Sequence, residues 1–256
     1  MKIFVISHKF VELPTDDNIY KMLIVGKGKE DSRNEKFYHD DDGINISFKN
    51  ESYCELTGLY WIWKNVNEDI VGLCHYRRFL SKKILSNSSK YFLNKEDIEK
   101  DLIKKDFDII LPKERFYKGK IVSETSTAPN LSDMKYVRDV LAKKYPDYLK
   151  CYDNFLNKNK CRMCNVMICK KSVFDEYCQW LFDILFETEQ IIPKDNYIND
   201  QYRKRLFGFI SERLLNVWVE KNELKVKEYN LVNLEENIFK KIINLTKSNI
   251  NKNIHK

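Results

Sequence analysis

Ile70-Val71-Gly72-Leu73-Cys74-His75-Tyr76-Arg77-Arg78-Phe79 is the stretch that decides the fold. Its first five residues are an unbroken apolar run of strand length, and the run stops at a cluster of polar and charged side chains. A strand apolar at every position is buried on both faces, as in a sheet covered by helices. In open α/β sheets, ligands bind outside the carboxyl ends of the strands. The reading therefore predicts a buried strand over residues 70–74. It sets His75, Tyr76, Arg77 and Arg78 where a ligand would lie.

Working outward, Lys2 to Ser7 repeats the pattern: a β-branched run that ends at His8-Lys9. His8 falls either at the edge of the same site or in a plain surface loop. Phe10 to Asn50 holds few periodic patterns, and Asp40-Asp41-Asp42-Gly43 reads as a solvated loop. A helix is expected from about Glu51 to Asn65, where Leu56, Leu59, Tyr60 and Trp63 recur at helical spacing. Further helices are expected over Lys95–Lys105, Leu131–Lys144 and Pro146–Leu156, the last with proline in its first turn. A helix from Ser172 to about Glu189 would have Asp175 or Glu176 near its capping positions. One more would span roughly Asp200 to Asn222, with an interruption at Gly208. Strands are expected over Asp108–Leu111, stopped by Pro112, over Arg162–Cys169 and over Leu224–Tyr229. Strands alternating with helices imply an α/β fold with a mainly parallel or mixed sheet. The expected organisation is one domain over residues 1–232 and a basic, helical C-terminal arm over 233–256.

Composition narrows the function classes. The net charge is +7, but 45 basic residues face 38 acidic ones, interspersed almost everywhere. A nucleic-acid binder concentrates its basic residues on one face or arm, so no nucleic-acid partner is expected. The seven cysteines are an odd number, and the opening Met1 to Phe10 lacks the pattern of a signal peptide. No apolar run approaches the roughly 20 residues of a membrane span. Reduced thiols and a cytoplasmic location are the expectation.

Four constellations carry candidate chemistry. Arg77 and Arg78 follow a buried strand, and the planar guanidinium fork suits a pair of diphosphate oxygens. The alternative is a polar loop with salt-bridged arginines. Tyr76 could stack on a base or sugar. His75 could hydrogen-bond a phosphate or bind a metal. Glu212, beside Arg213 and among apolar residues, could be a general base tuned by burial, or a salt-bridge partner only. Cys161-x-x-Cys164 lacks a second knuckle of the kind zinc requires and reads as buried core. Asp40-x-Asp42 has the composition of a divalent-ion pair but follows a polar stretch rather than a strand, so a solvated loop is preferred.

Several blocks together resemble a known family. They are Asn45 to Asn50; Tyr53-Cys54-Glu55-Leu56-Thr57-Gly58-Leu59-Tyr60-Trp61-Ile62-Trp63-Lys64-Asn65; and Val71-Gly72-Leu73 with His75-Tyr76-Arg77-Arg78-Phe79. Ile3 to Lys9, Asn165 to Ile168, Trp180 to Phe182 and Phe207 to Trp218 extend the likeness over nearly the whole chain. These blocks are similar to bacterial capsular and exopolysaccharide glycosyltransferases of the "HYRRF" type. The resemblance implies a GT-A-like fold, with a Rossmann-type mixed sheet flanked by helices. It also implies a nucleotide-sugar donor, UDP-hexose or UDP-galactofuranose. The segment Ser123 to Asp133 departs from the family pattern, so sugar specificity does not carry over.

The resulting expectation is an inverting transfer from a UDP-sugar to a lipid-linked oligosaccharide or other glycan acceptor. Arg77 and Arg78 would neutralise the leaving diphosphate and Glu212 would act as the base. His8, Asn50, Glu55, Thr57, His75 and Tyr76 complete the expected donor site. Asn50 and Thr57 would meet ribose or uracil edges, and Glu55 a ribose hydroxyl. A divalent metal, Mn or Mg, is a further expectation, with His75 as candidate ligand. The basic C-terminal tail would touch the inner face of the cytoplasmic membrane. The rival reading is a non-catalytic scaffold that binds nucleotide-sugars.

Overall fold

The run that begins at Ile70 becomes a strand in the middle of a mixed sheet. In the computed structural model, which describes residues 1–15, 18–26, 37–123, 126 and 128–254, the strands are β1 (Lys2–Ser7), β2 (Tyr20–Ile24), β3 (Tyr38–His39), β4 (Ile70–His75), β5 (Arg78–Ser81), β6 (Ile109–Pro112), β7 (Arg115–Phe116), β8 (Lys160–Cys161), β9 (Met167–Lys170) and β10 (Val226–Asn233). The α-helices are α1 (Asn50–Tyr53), α2 (Leu56–Asn65), α3 (Lys95–Glu99), α4 (Leu131–Lys144), α5 (Leu149–Leu156), α6 (Lys171–Ile191), α7 (Leu206–Lys221) and α8 (Ile238–Ile254).

Strand β1 lies parallel between β2 and β4, and β3 continues in parallel beyond β2. β4 runs antiparallel to β9, and β9 antiparallel to β6. β6 is parallel to β10, which is antiparallel to β5. A single pair, His75 with Arg78, joins β4 to β5 across a tight turn. The carboxyl ends of β1, β2, β4, β6 and β10 therefore share one edge, and the turn that enters β9 joins them there. The two short strands β7 and β8 pair separately.

Burial on both faces follows from the alternation along the inner strands. Phe4, Ile6, Val71 and Leu73 point into a core shared with α2 and α4–α7, where α6 packs against α2, α4 and α7. Ile3, Val5, Ile70 and Cys74 point the other way, onto Phe79, Phe92, Ile98 and Leu102. Gly72 is needed where these layers close. A Cβ there would sit 2.8 Å from both the Met167 carbonyl oxygen and the Ile168 side chain of β9.

The α/β class and the sheet flanked by helices match the sequence expectation. Several local readings differ. The stretch from Phe10 to Asn50 contains β2, which is apolar apart from Lys21 and lacks the alternation that marks a half-exposed strand. The helix expected over Glu51–Asn65 is broken at Cys54, whose φ of 51° leaves the helical region. The strand expected over Arg162–Cys169 is short, because Cys164 and Asn165 adopt φ of 80° and 44° and form a turn ahead of β9. Helix α6 has no side-chain cap from Asp175 or Glu176. Helix α7 starts at Leu206 and runs through Gly208 without interruption.

The acidic triplet is not simply solvated: Asp40 is fully buried and accepts a hydrogen bond from Thr57 Oγ1. Its preceding polar stretch includes Asn34 to Lys36, which lie outside the described residues, as do Glu124, Thr125 and Thr127 of the Ser123–Asp133 segment. The C-terminal arm is helical, as expected, and it docks. Ser248 Oγ accepts from the Phe116 amide and Asn251 Nδ2 donates to the Phe116 carbonyl. His255 and Lys256 lie outside the described residues. All seven cysteines are free thiols. No helix among the described residues is long and apolar enough to cross a membrane.

Gly72→Ala tests the closest approach in the sheet. The added methyl meets a backbone carbonyl, which cannot yield as a flexible side chain would. The variant should lose about 1–3 kcal/mol, the usual scale of overpacking, read as a lowered Tm and denaturant midpoint.

Candidate active site

The site is assembled by the turn at Cys164 and Asn165, next to the carboxyl end of β4. The amide of Cys164 donates to Glu212 Oε1 at 2.9 Å, and the carbonyl of the same residue accepts from His75 Nε2 at 2.8 Å. Asn165 Nδ2 reaches Glu55 Oε1 at 2.9 Å and Ser211 Oγ at 2.7 Å. One turn thus ties β4, the start of α2 and helix α7 together. The left-handed conformation at both residues lets consecutive main-chain and side-chain groups face different elements.

Glu212 is held in a nearly closed setting. Its Oε2 accepts from Arg213 Nη1 at 3.0 Å, and its side chain is 11% exposed. Burial pushes its pKa up from 4.5 to about 7. The Arg213 and Arg78 cations and the Cys164 amide oppose that rise, while the neighbouring Glu55 carboxylate adds to it. A carboxyl poised near neutrality is what general-base catalysis requires.

The cationic side of the site is built from three arginines and a lysine. The ring of Tyr76 is flanked by His8, with centroids 5.4 Å apart, by Lys9 at 5.2 Å and by the Arg77 guanidinium at 5.5 Å. His8 sits in a turn fixed by Ser7, whose Oγ accepts from the Lys9 amide and donates to the Lys9 carbonyl. Burial and the charges of Lys9, Arg77 and Arg205 hold the His8 pKa below its usual value. Burial likewise depresses that of His75, helped by Arg78 and Arg77. Both rings are neutral at neutral pH. Arg77 is ion-paired to Glu235 at 2.8 Å. Arg78 has no carboxylate within ion-pair distance among the described residues, yet its charge is felt at Glu212, His75 and Cys164.

Two residues expected in the donor site are engaged within the fold. Thr57 is fully buried, donating to Asp40 and accepting from Asn50 Nδ2 at 2.8 Å. Asn50 is committed to that bond and to the Cys54 carbonyl. Together they brace the kink between α1 and α2. His75, the expected metal ligand, is partly engaged by the protein. Its Nε2 is taken by a carbonyl, and the two nearby carboxylates already accept from Asn165, Cys164 and Arg213. The surrounding cations would repel a divalent ion. Among the described residues, no group of three His, Cys, Asp or Glu converges to hold one.

The sequence reading did not single out Lys9, Arg205 or the bridging role of Asn165. Arg205 acts at a distance on His8 and lies over the Phe209 ring at 5.2 Å. The one available signal for Asn165 was its residue type: asparagine tolerates the left-handed region better than most.

Comparison with known proteins bears on this arrangement. The profile of a family described as "Domain of unknown function (DUF4422)" matches residues 2–223. No curated protein matches the chain. Among solved structures, the apo form of WbbM, a bifunctional glycosyltransferase, superposes with a TM-score of 0.77 at 33% sequence identity. The match covers 92% of this chain and 45% of WbbM, so the chain spans less than half the length of that protein. The fold is thus glycosyltransferase-like.

The raised Glu212 pKa has a consequence for stability. Between pH 4.5 and about 7 the folded protein holds a proton that the unfolded chain has released. The contribution of this group is therefore fully present below pH 4.5 and lost as pH rises through about 7. Unfolding free energy, measured by denaturant titration, should fall across that window. Glu212→Gln should flatten that part of the profile, and an unchanged slope would show that the carboxyl titrates normally.

Proposed function

This chain belongs to the DUF4422 family, and we propose that it is a glycosyltransferase that moves a sugar from a UDP-sugar donor to a glycan acceptor carried on lipid at the inner face of the cytoplasmic membrane. The observation that carries the proposal is the pairing of Glu212, poised near neutrality, with Arg78, a cation that has no carboxylate partner among the described residues. They sit at the strand edge where α/β folds take their ligands. The glycosyltransferase-like fold supports the same reading.

In this mechanism the UDP diphosphate lies against Arg78, with Arg77, His8 and Tyr76 around it. Glu212 takes the proton from the acceptor hydroxyl. The acceptor oxygen forms a bond to the anomeric carbon as the bond to the diphosphate oxygen breaks. The negative charge that builds on UDP meets Arg78 in a site that excludes much of the water, where a fixed cation acts most strongly. Attack opposite the leaving group inverts the anomeric configuration. Glu55 keeps Glu212 basic by repulsion, and Asn165 holds Glu55 in place. In this reading arginine supplies the neutralisation of the leaving diphosphate.

Glu212→Gln should lower kcat by roughly 10²-fold or more while leaving UDP affinity nearly unchanged. The rate of the unmodified protein should rise with pH through about 7, and the variant should lose that limb. Transfer and donor hydrolysis measured over a panel of UDP-sugars would check both. A variant that keeps its rate when folded reduces Glu212 to a salt-bridge partner.

Arg78→Ala should weaken UDP binding by about tenfold or more, the scale of a charge-assisted hydrogen bond. Arg77→Ala should cost less, because Glu235 already occupies that guanidinium. Titration calorimetry with UDP would rank the two, and equal affinity for Arg78→Ala and the unmodified protein would remove the diphosphate assignment.

A further inference from the structure

Where α8 lies against β7 and the end of β10, it roofs a cavity of about 600 Å³, well within the size range of small-molecule sites. Its walls carry Lys113 and Arg115 on one side and Lys241, Lys247 and Lys252 on the helix. The carboxylates in the lining are Glu114 and Glu236, and Glu114 is already bound by Lys160 and Arg162. None of the five cations has a carboxylate within ion-pair distance among the described residues. Lys241 is 4% exposed, and its Nζ donates to the neutral amide oxygen of Asn87. Enclosing an ammonium without an anion is costly, and burial lowers its pKa accordingly. The Glu236 carboxylate in the lining acts on this charge only from beyond ion-pair distance.

Helix α8 is amphipathic in the reverse of the usual sense. Lys241, Leu245, Ser248 and Lys252 recur at helical spacing on the side toward the domain. Phe239, Ile243 and Ile250 recur on the opposite side and are 79%, 52% and 53% exposed. A soluble helix buries its apolar stripe and presents its cations to water. This one keeps cations over a cavity and presents an apolar stripe outward, which fits an interfacial helix.

The cavity also adjoins the site built around Glu212. Asn233 in its lining pairs in register with Arg78, and the Arg115 charge is felt at Cys164.

We propose that the cavity under α8 binds the diphosphate of a lipid-borne ligand, while the outer stripe of α8 rests in the membrane interface. The excess of cations on two facing walls calls for a multiply charged anion rather than a single carboxylate. Arg115 supplies the fork geometry that phosphate oxygens take. This deepens the reading of the acceptor as membrane-carried and rests on it. The diphosphate site itself is a separate binding function that does not use Arg78 or Glu212.

The test is binding rather than transfer, so it can be read whether or not the transferase reading holds. Titration calorimetry on the full chain would use three probes: pyrophosphate, a soluble short-chain prenyl diphosphate, and UDP. R115Q and K247Q together should weaken pyrophosphate and prenyl diphosphate by roughly tenfold for each cation removed, and leave UDP unchanged. Arg78→Ala should do the reverse. Prenyl diphosphate binding tighter than UDP at this cavity assigns the lipid source. Tighter UDP binding that the double variant abolishes makes the cavity part of a nucleotide site and overturns the proposal. So does prenyl diphosphate affinity that the double variant leaves intact. Co-sedimentation with phosphatidylcholine vesicles carrying a prenyl diphosphate tests the stripe. F239S with I243S should reduce recruitment several-fold without changing affinity for the soluble probe, and undiminished recruitment overturns the membrane contact.

Discussion

The site depends on the main chain of Cys164. Its amide fixes Glu212 and its carbonyl fixes His75, while the next side chain, Asn165, fixes Glu55. These groups come from α7, β4 and the start of α2. A buried carboxylate without such a donor would carry the full cost of desolvation. The turn is therefore both the support of the site and the reason a carboxylate can sit there. Its backbone must be left-handed at two successive non-glycine residues, a conformation that persists only where surrounding contacts determine it.

Around that turn the charges are set against one another. Burial and Glu55 drive Glu212 toward its neutral form, and Arg213 and Arg78 restrain the drift. Stronger restraint would leave Glu212 a weak base, and weaker restraint would leave it protonated under working conditions. Burial holds the His8 and His75 pKa values down, helped by Lys9, Arg77 and Arg205 at His8 and by Arg78 and Arg77 at His75. In the proposed reaction, neutral imidazoles beside the diphosphate would hydrogen-bond without adding charge, and the electrostatic task would fall on Arg78, which has no carboxylate partner among the described residues.

How far the sequence revealed this depends on the range of each interaction. The apolar runs at Ile3 and Ile70 were legible because a strand buried on both faces leaves an unbroken signature, and the polar residues after them marked the ligand edge. Glu212 was legible as a charged residue among apolar neighbours. The structural bond of Thr57 was not legible because its partner, Asp40, lies in a stretch with no periodicity, and a hydroxyl that bridges buried polar groups looks in sequence like one that faces a ligand. The kink at Cys54 and the turn at Cys164 are set by tertiary contacts. Neither glycine nor proline marks them, so local propensity gave no warning.

The two cation-rich regions share one cause in the topology. Six strands run the same way, so their ends collect the loops that carry His8, the Tyr76–Arg77 turn and the Lys113–Arg115 segment on one edge. The pairing of β10 with β5 then brings Asn233 opposite Arg78, which sets the chain leaving β10 down beside the Glu212 site. Helix α8 begins five residues later, so its place over β7 is decided by the register of that last strand. Lys241 donates to an amide rather than a carboxylate, and the arm is held by polar contacts to Phe116 and Asn87. An arm docked this way gains most when an anion enters beneath it. Ligand binding and ordering of α8 are then coupled, since each supplies what the other lacks.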